Sequence, residues 1–103
     1  MILDPEAVAR AVDARHWGVV DGRLESIVST GTFLAGLDLV VEVARVAEEL
    51  GHHPDVLLAY PTVRLTSVSH DEGGLTARDI ALARALSALL DDRDLEAGPP
   101  RTA

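Results

Sequence analysis

Cysteine is absent from the chain, which excludes disulfides, zinc ribbons and thiol catalysis and fits a reducing compartment. Aromatic residues are scarce, at 3% against a hydrophobic fraction of 48%. The core is therefore built from Val, Leu, Ile and Ala, and Trp17, Phe33 and Tyr60 each invite a specific explanation. Basic residues are outnumbered, 9 against 17 acidic, for a formal charge of −8. Such a surface repels phosphate backbones and argues against nucleic-acid binding through a basic patch. No apolar run approaches the roughly 18 residues that read as a membrane span. Met1-Ile2-Leu3-Asp4-Pro5 lacks the basic and then apolar pattern of a secretory leader. The expectation is a soluble, cytoplasmic protein with neither a nucleic-acid nor a membrane partner. A chain of 103 residues makes one domain with a thin core, and self-association is a natural way to bury more apolar area.

Local signals outline the elements. Asp4-Pro5 reads as an N-cap followed by Pro at the first helical position, and Val8, Ala11 and Val12 recur at helical spacing, so a short helix is expected over 4–15. Asp21-Gly22 is a hairpin signal between Trp17–Val20 and Leu24–Val28. Gly31 and Thr32 break the second strand, and Thr32 is placed to cap a helix over 33–50. That helix carries one polar stripe, Asp38, Glu42, Arg45 and Glu49, in an otherwise apolar surface. So broad an apolar arc implies burial on more than one side, against a sheet and against a second helix or a partner subunit. Gly51 ends the helix as its C′ residue. Val56–Tyr60 and Val63–Ser69 read as two strands or as one strand bent at Pro61. A last helix begins near Thr76 and turns Ile80, Leu82, Ala83, Leu86, Leu89 and Leu90 inward. The expected domain is residues 1–92, with 93–103 a disordered tail. The order α-β-β-α-β-β-α gives an α+β fold, a four-stranded antiparallel sheet with helices on one face.

Three histidines stand out: His52-His53 directly after the long helix and His70 after the last strand. Imidazole gives and takes protons near neutrality, so two or three around one pocket suit a reaction that moves protons without a metal. Read alone, His-His is equally an ordinary surface-loop pair. A metal site is disfavoured: neighbours in an extended segment point apart, and neither Cys nor an HExxH spacing is present. Asp79 follows Thr76 in the [ST]-x-x-[DE] capping pattern, and a helix N-terminus also keeps a carboxylate ionised. Beside an imidazole, such a carboxylate would hold its tautomer and raise its basicity. Glu48 reads as a solvated helix face or a site acid. Trp17 and Tyr60 read as strand aromatics or as walls for a flat ligand, and His16 as a surface residue.

Glu48, His52-His53-Pro54, Tyr60, His70 and Gly74-Leu75-Thr76-Ala77-Arg78-Asp79 stand in one register. In that pattern the chain resembles the pterin-4a-carbinolamine dehydratase family over residues 5–90. Trp17 and Phe33 match aromatics of the same family. Ser69 departs from its usual Thr but keeps a hydroxyl, and Pro61-Thr62 replaces a more polar pair. The resemblance implies dehydration of 4a-hydroxytetrahydrobiopterin to quinonoid dihydropterin, in tetrahydrobiopterin recycling, with no metal and no bound cofactor. It implies a homodimer or homotetramer with a small-molecule pterin substrate. It implies His52 and His70 as the acid–base pair and His53 as the residue that orients the pterin. Asp79 would stabilise a cationic histidine or anchor a ring N–H, with Glu48, Tyr60 and Trp17 at the substrate. The alternative is a non-catalytic relative that serves as an assembly factor or dimerisation partner, which has no need to keep His52, His53, His70 and Asp79 together.

Overall fold

A computed structural model describes residues 1–100. Three helices, α1 (Pro5–Ala11), α2 (Phe33–Leu50) and α3 (Ala77–Asp92), alternate with strands β1 (Gly18–Val20), β2 (Arg23–Ser29), β3 (Asp55–Ala59), β4 (Thr62–Ser67) and β5 (Ala97–Gly98). The sheet is antiparallel in the order β1-β2-β4-β3, with β5 also on β2. The expected α+β architecture is present, with one strand more than expected.

Each local signal has a visible outcome. Asp21 and Gly22 both have positive φ (51° and 75°), the type I′ geometry that Asp-Gly favours because its twist matches that of the flanking strands. Thr32 caps α2 by accepting from the Ala35 amide at 3.0 Å. At its other end Gly51 adopts φ 66°, its amide bonds the Glu48 carbonyl, and the His52 amide bonds the Ala47 carbonyl. Those two bonds are the Schellman pairing, which satisfies carbonyls the helix leaves open. The helix α1 is shorter than the expected 4–15 because the Asp13 side chain accepts from the Arg15 amide at 2.9 Å. Asp thus offers the backbone a local alternative to another helical turn.

Strand alternation assigns the faces. Leu24, Ser26 and Val28 of β2 stand opposite Ser67, Leu65 and Val63 of β4, and all six are buried. The same core takes Val8 from α1, Leu39 and Val43 from α2, and Leu82, Leu86 and Leu90 from α3. The opposite face carries Glu25, Arg64 and Leu57, with Arg64 and Glu25 paired at 3.6 Å. Helix α2 lies hard against β3: a Cβ on Gly36 would sit 2.7 Å from Leu58 Cδ1. Phe33, Leu34, Leu37 and Val41 of α2 stay exposed.

Within the stretch from residue 93, expected to be disordered, Ala97–Gly98 form β5 on the sheet, and 101–103 lie outside the described residues. Ala97 and Gly98 pair with Val28 and Ile27, and the Ser29 amide bonds the Glu96 carbonyl at 2.8 Å. The physical reason is an unfinished edge. The three residues of β1 cover only Arg23–Glu25 of β2, leaving further backbone groups that need partners. Leu95 and Ala97 pack on the core beside them.

Candidate active site

The helix ends set the site. Because the Schellman turn fixes where the chain leaves α2, His52 is held at a defined place, and it is only 7% exposed. Its Nε2 lies 2.7 Å from Asp79 Oδ1. Asp79 is fully buried at the third position of α3, where it completes the capping box by accepting from the Thr76 amide at 2.8 Å. Ser67 donates to Oδ1 at 2.6 Å and Ser69 to Oδ2 at 2.8 Å. The carboxylate thus accepts four hydrogen bonds, about the full capacity of its two oxygens.

That saturation decides its charge. Burial pushes the Asp79 carboxyl pKa up, but hydrogen bonds from Ser67, His52, the Thr76 amide and Ser69 together outweigh it and hold the pKa below the usual carboxylate range. An ionised carboxylate only accepts, so His52 Nε2 carries a hydrogen, and in the neutral ring the lone pair is on Nδ1. His52 Nδ1 bonds no other described residue. Ser26 Oγ is the one buried side-chain polar atom among them without a partner, so Nδ1 reaches the surface. The result is a nearly buried imidazole backed by a buried anion, with its second nitrogen left without a partner among the described residues.

His70 is exposed and borders a cleft of about 490 Å³ with Ile2, Leu3, Val68 and Leu75. Its neighbour Ser69 bridges to Gly74 and bonds Asp79, so the loop bearing His70 is tied to the carboxylate that holds His52. His53 is exposed and pairs through Nε2 with Glu48. It borders a groove of about 400 Å³ between α2 and β3, walled by Val43, Ala47 and Val56.

Two aromatics are placed elsewhere. Trp17 is 3% exposed and donates to Ser87 Oγ at 3.1 Å, so it packs in the core rather than walling a ligand. Its large apolar area and its single N–H are both satisfied there. Tyr60 stands exposed at the β3–β4 turn and lines neither cleft. His16, read as a surface residue, is 4% exposed with Nδ1 at 2.9 Å from Ser87 Oγ, because the turn after Asp13 swings it under α3. Sequence reasoning passed over Ser67. Its signal was its phase: it continues the inward row of Val63 and Leu65 with a hydroxyl where an apolar side chain belongs.

The sequence profile of the family described as pterin 4 alpha carbinolamine dehydratase matches residues 1–89. The chain belongs to this family. Among its relatives is a Mycobacterium leprae protein provisionally named a pterin-4-alpha-carbinolamine dehydratase. It is 38% identical over 92 residues, covering 89% of this chain and 98% of the relative. A protein of Acidobacterium capsulatum with the same provisional name is 40% identical over 89 residues, covering 85% and 97%. A crystal structure titled transcriptional coactivator/pterin dehydratase, from Brucella melitensis, superposes with a TM-score of 0.75 at 30% identity. It covers 86% of this chain and 98% of that one. The matched region thus runs from α1 into α3, includes His52, His53, His70 and Asp79, and ends within α3, before β5.

Proposed function

We propose that the chain dehydrates a 4a-hydroxytetrahydropterin, with 4a-hydroxytetrahydrobiopterin the reference substrate, to quinonoid dihydropterin and water by histidine general acid–base catalysis. The observation that carries the reading is the bond between His52 and the buried Asp79, which leaves Nδ1 without a partner among the described residues. In the reaction the C4a–O bond breaks and the hydroxyl leaves as water with a donated proton. A ring nitrogen gives up its proton as the C=N bond forms, so protons balance without a metal or cofactor. His52 Nδ1 accepts the ring proton and Asp79 stabilises the resulting imidazolium. His70 donates to the leaving hydroxyl. His53, held by Glu48, orients the pterin. Each positioned acid–base group typically contributes about 10²- to 10⁴-fold.

The test supplies chemically generated 4a-hydroxytetrahydropterin and follows its loss by absorbance. Acceleration is expected, with His52→Ala and His70→Ala each at least about tenfold slower and folded by circular dichroism. No acceleration over the spontaneous reaction rejects the reading. The same interpretation places the protein in the cytoplasm, in pterin recycling, as a homodimer or homotetramer. The exposed row Leu34, Leu37 and Val41 on α2 supports self-association. Light scattering on the assayed sample checks this, and a strictly monomeric active protein would refute it.

A further inference from the structure

Ser67 has no part in the reaction as derived above, yet it makes the shortest bond to the central carboxylate. Its hydroxyl donates to Asp79 Oδ1 at 2.6 Å, the oxygen that also accepts from His52 Nε2 at 2.7 Å. Ser69 and the Thr76 amide occupy the other oxygen, Oδ2, each at 2.8 Å. Ser67 and His52 therefore draw on the same negative charge, and Ser67 is fully buried where water cannot substitute for it.

We infer that Ser67 is a positioning residue that restrains the basicity of His52 by sharing the Asp79 oxygen to which that imidazole is bonded. The claim that this matters to turnover rests on the reaction proposed above; the coupling itself does not. A donor to Oδ1 spreads the charge that would otherwise stabilise the His52 imidazolium, and in a buried site such a bond is not diluted by solvent. With Ser67 in place, less of the Oδ1 charge is left to the imidazole that shares it.

The groups that face His52 are few. From α3 comes Asp79, which bonds the imidazole; Ser67 and Ser69, from β4 and the loop after it, and the Thr76 amide at the helix cap bond Asp79 in turn. The charged side chains nearest in the chain are exposed, Glu48 paired with His53 and Glu49 and Asp55 in no ion pair among the described residues, and Arg78, which pairs with Asp71, also lies within electrostatic reach of Asp79. His70 is exposed as well. No other charge is hydrogen-bonded to the imidazole among the described residues.

The experiment is an NMR pH titration of the four histidines in wild type, Ser67→Ala, Ser67→Cys and Ser67→Thr, with pH–rate profiles on the same samples. Cys preserves the size with a far weaker donor, and Thr keeps the hydroxyl. Removing or weakening the donor is expected to raise the His52 midpoint by roughly half to one pH unit, while His16 and His53 stay in place and Ser67→Thr returns to the wild-type value. The acid limb of kcat should move by the same amount, lowering the rate about three- to tenfold on that limb and leaving the plateau unchanged. A His52 midpoint that stays or falls in a folded Ala or Cys variant overturns the inference. So does a uniform shift of all histidines, which would signal loosened structure. Wild type without dehydratase activity, but with the His52 shift present, would reject the reaction and keep the coupling.

Discussion

The two ends of α3 each hold a buried histidine, and only one of the two is hydrogen-bonded to a buried carboxylate. At the N-terminal end His52 meets a carboxylate that is itself buried and saturated with hydrogen bonds. At the C-terminal end His16 meets the Ser87 hydroxyl, which also accepts from Trp17. Carboxylates are near His16 too, Asp13 at 3.8 Å and Asp91 at 3.6 Å, but both are partly solvated and lie beyond hydrogen-bond reach. The two therefore differ in partner and not in burial: one nitrogen of His52 meets a fixed, dry negative charge, whereas His16 meets a neutral hydroxyl. The neutral partner at the far end does a packing job, joining the loop after α1 to α3.

The strongest way to break this contrast is Asp79→Asn. Removing the charge while keeping the shape should cost roughly 3 kcal/mol of stability, as breaking a buried pair does, and at least about 10² in rate, if His52 loses its backing. The sign with pH follows from the depressed pKa of Asp79. Its stabilisation is complete above the carboxyl's unfolded value and fades as pH falls through the folded one. Denaturation of wild type and Asp79→Asn should thus converge in acid; a gap that stays constant with pH would assign the loss to shape alone.

A pair of matched substitutions sharpens the comparison at intermediate effect. His16→Gln should lower stability by about 1–2 kcal/mol through its lost bond to Ser87 yet leave the rate within about twofold. His52→Gln, which keeps a donor for Asp79, should do the opposite and slow turnover at least about tenfold. Equal rate losses would erase the distinction between the two ends. The smallest change concerns Ser26, whose buried hydroxyl has no partner. Ser26→Ala should fall within about 0.5 kcal/mol of wild type or above it, since a buried unpaired hydroxyl is unfavourable. A loss beyond about 1 kcal/mol in thermal or chemical melts would mean that the hydroxyl finds a partner in solution.

How far the sequence disclosed this follows from the range of each signal. Asp21-Gly22, Leu50-Gly51 and Thr76-x-x-Asp79 act over a few residues, so the hairpin, the end of α2 and the start of α3 were all readable, and His52 and Asp79 with them. Their meeting was readable only through the family resemblance, because no local rule brings residue 52 to residue 79. Ser67 needed strand phase combined with knowledge of what lies behind β4. His16 turned inward because Asp13 ended α1 early, a competition that apolar periodicity does not register. The pairing at Ala97–Gly98 depended on how little of β2 the short β1 would cover, which the composition of a Gly- and Pro-containing tail gives no means to judge.

Asp79 both starts α3 and holds His52, and this double employment bears on descent. A lineage that abandoned the reaction would still need the carboxylate to begin its last helix, so selection on folding alone would retain it. Its presence in a distant relative is therefore weak testimony to activity. The informative position is the imidazole opposite, which the fold can replace with any side chain able to donate one hydrogen bond.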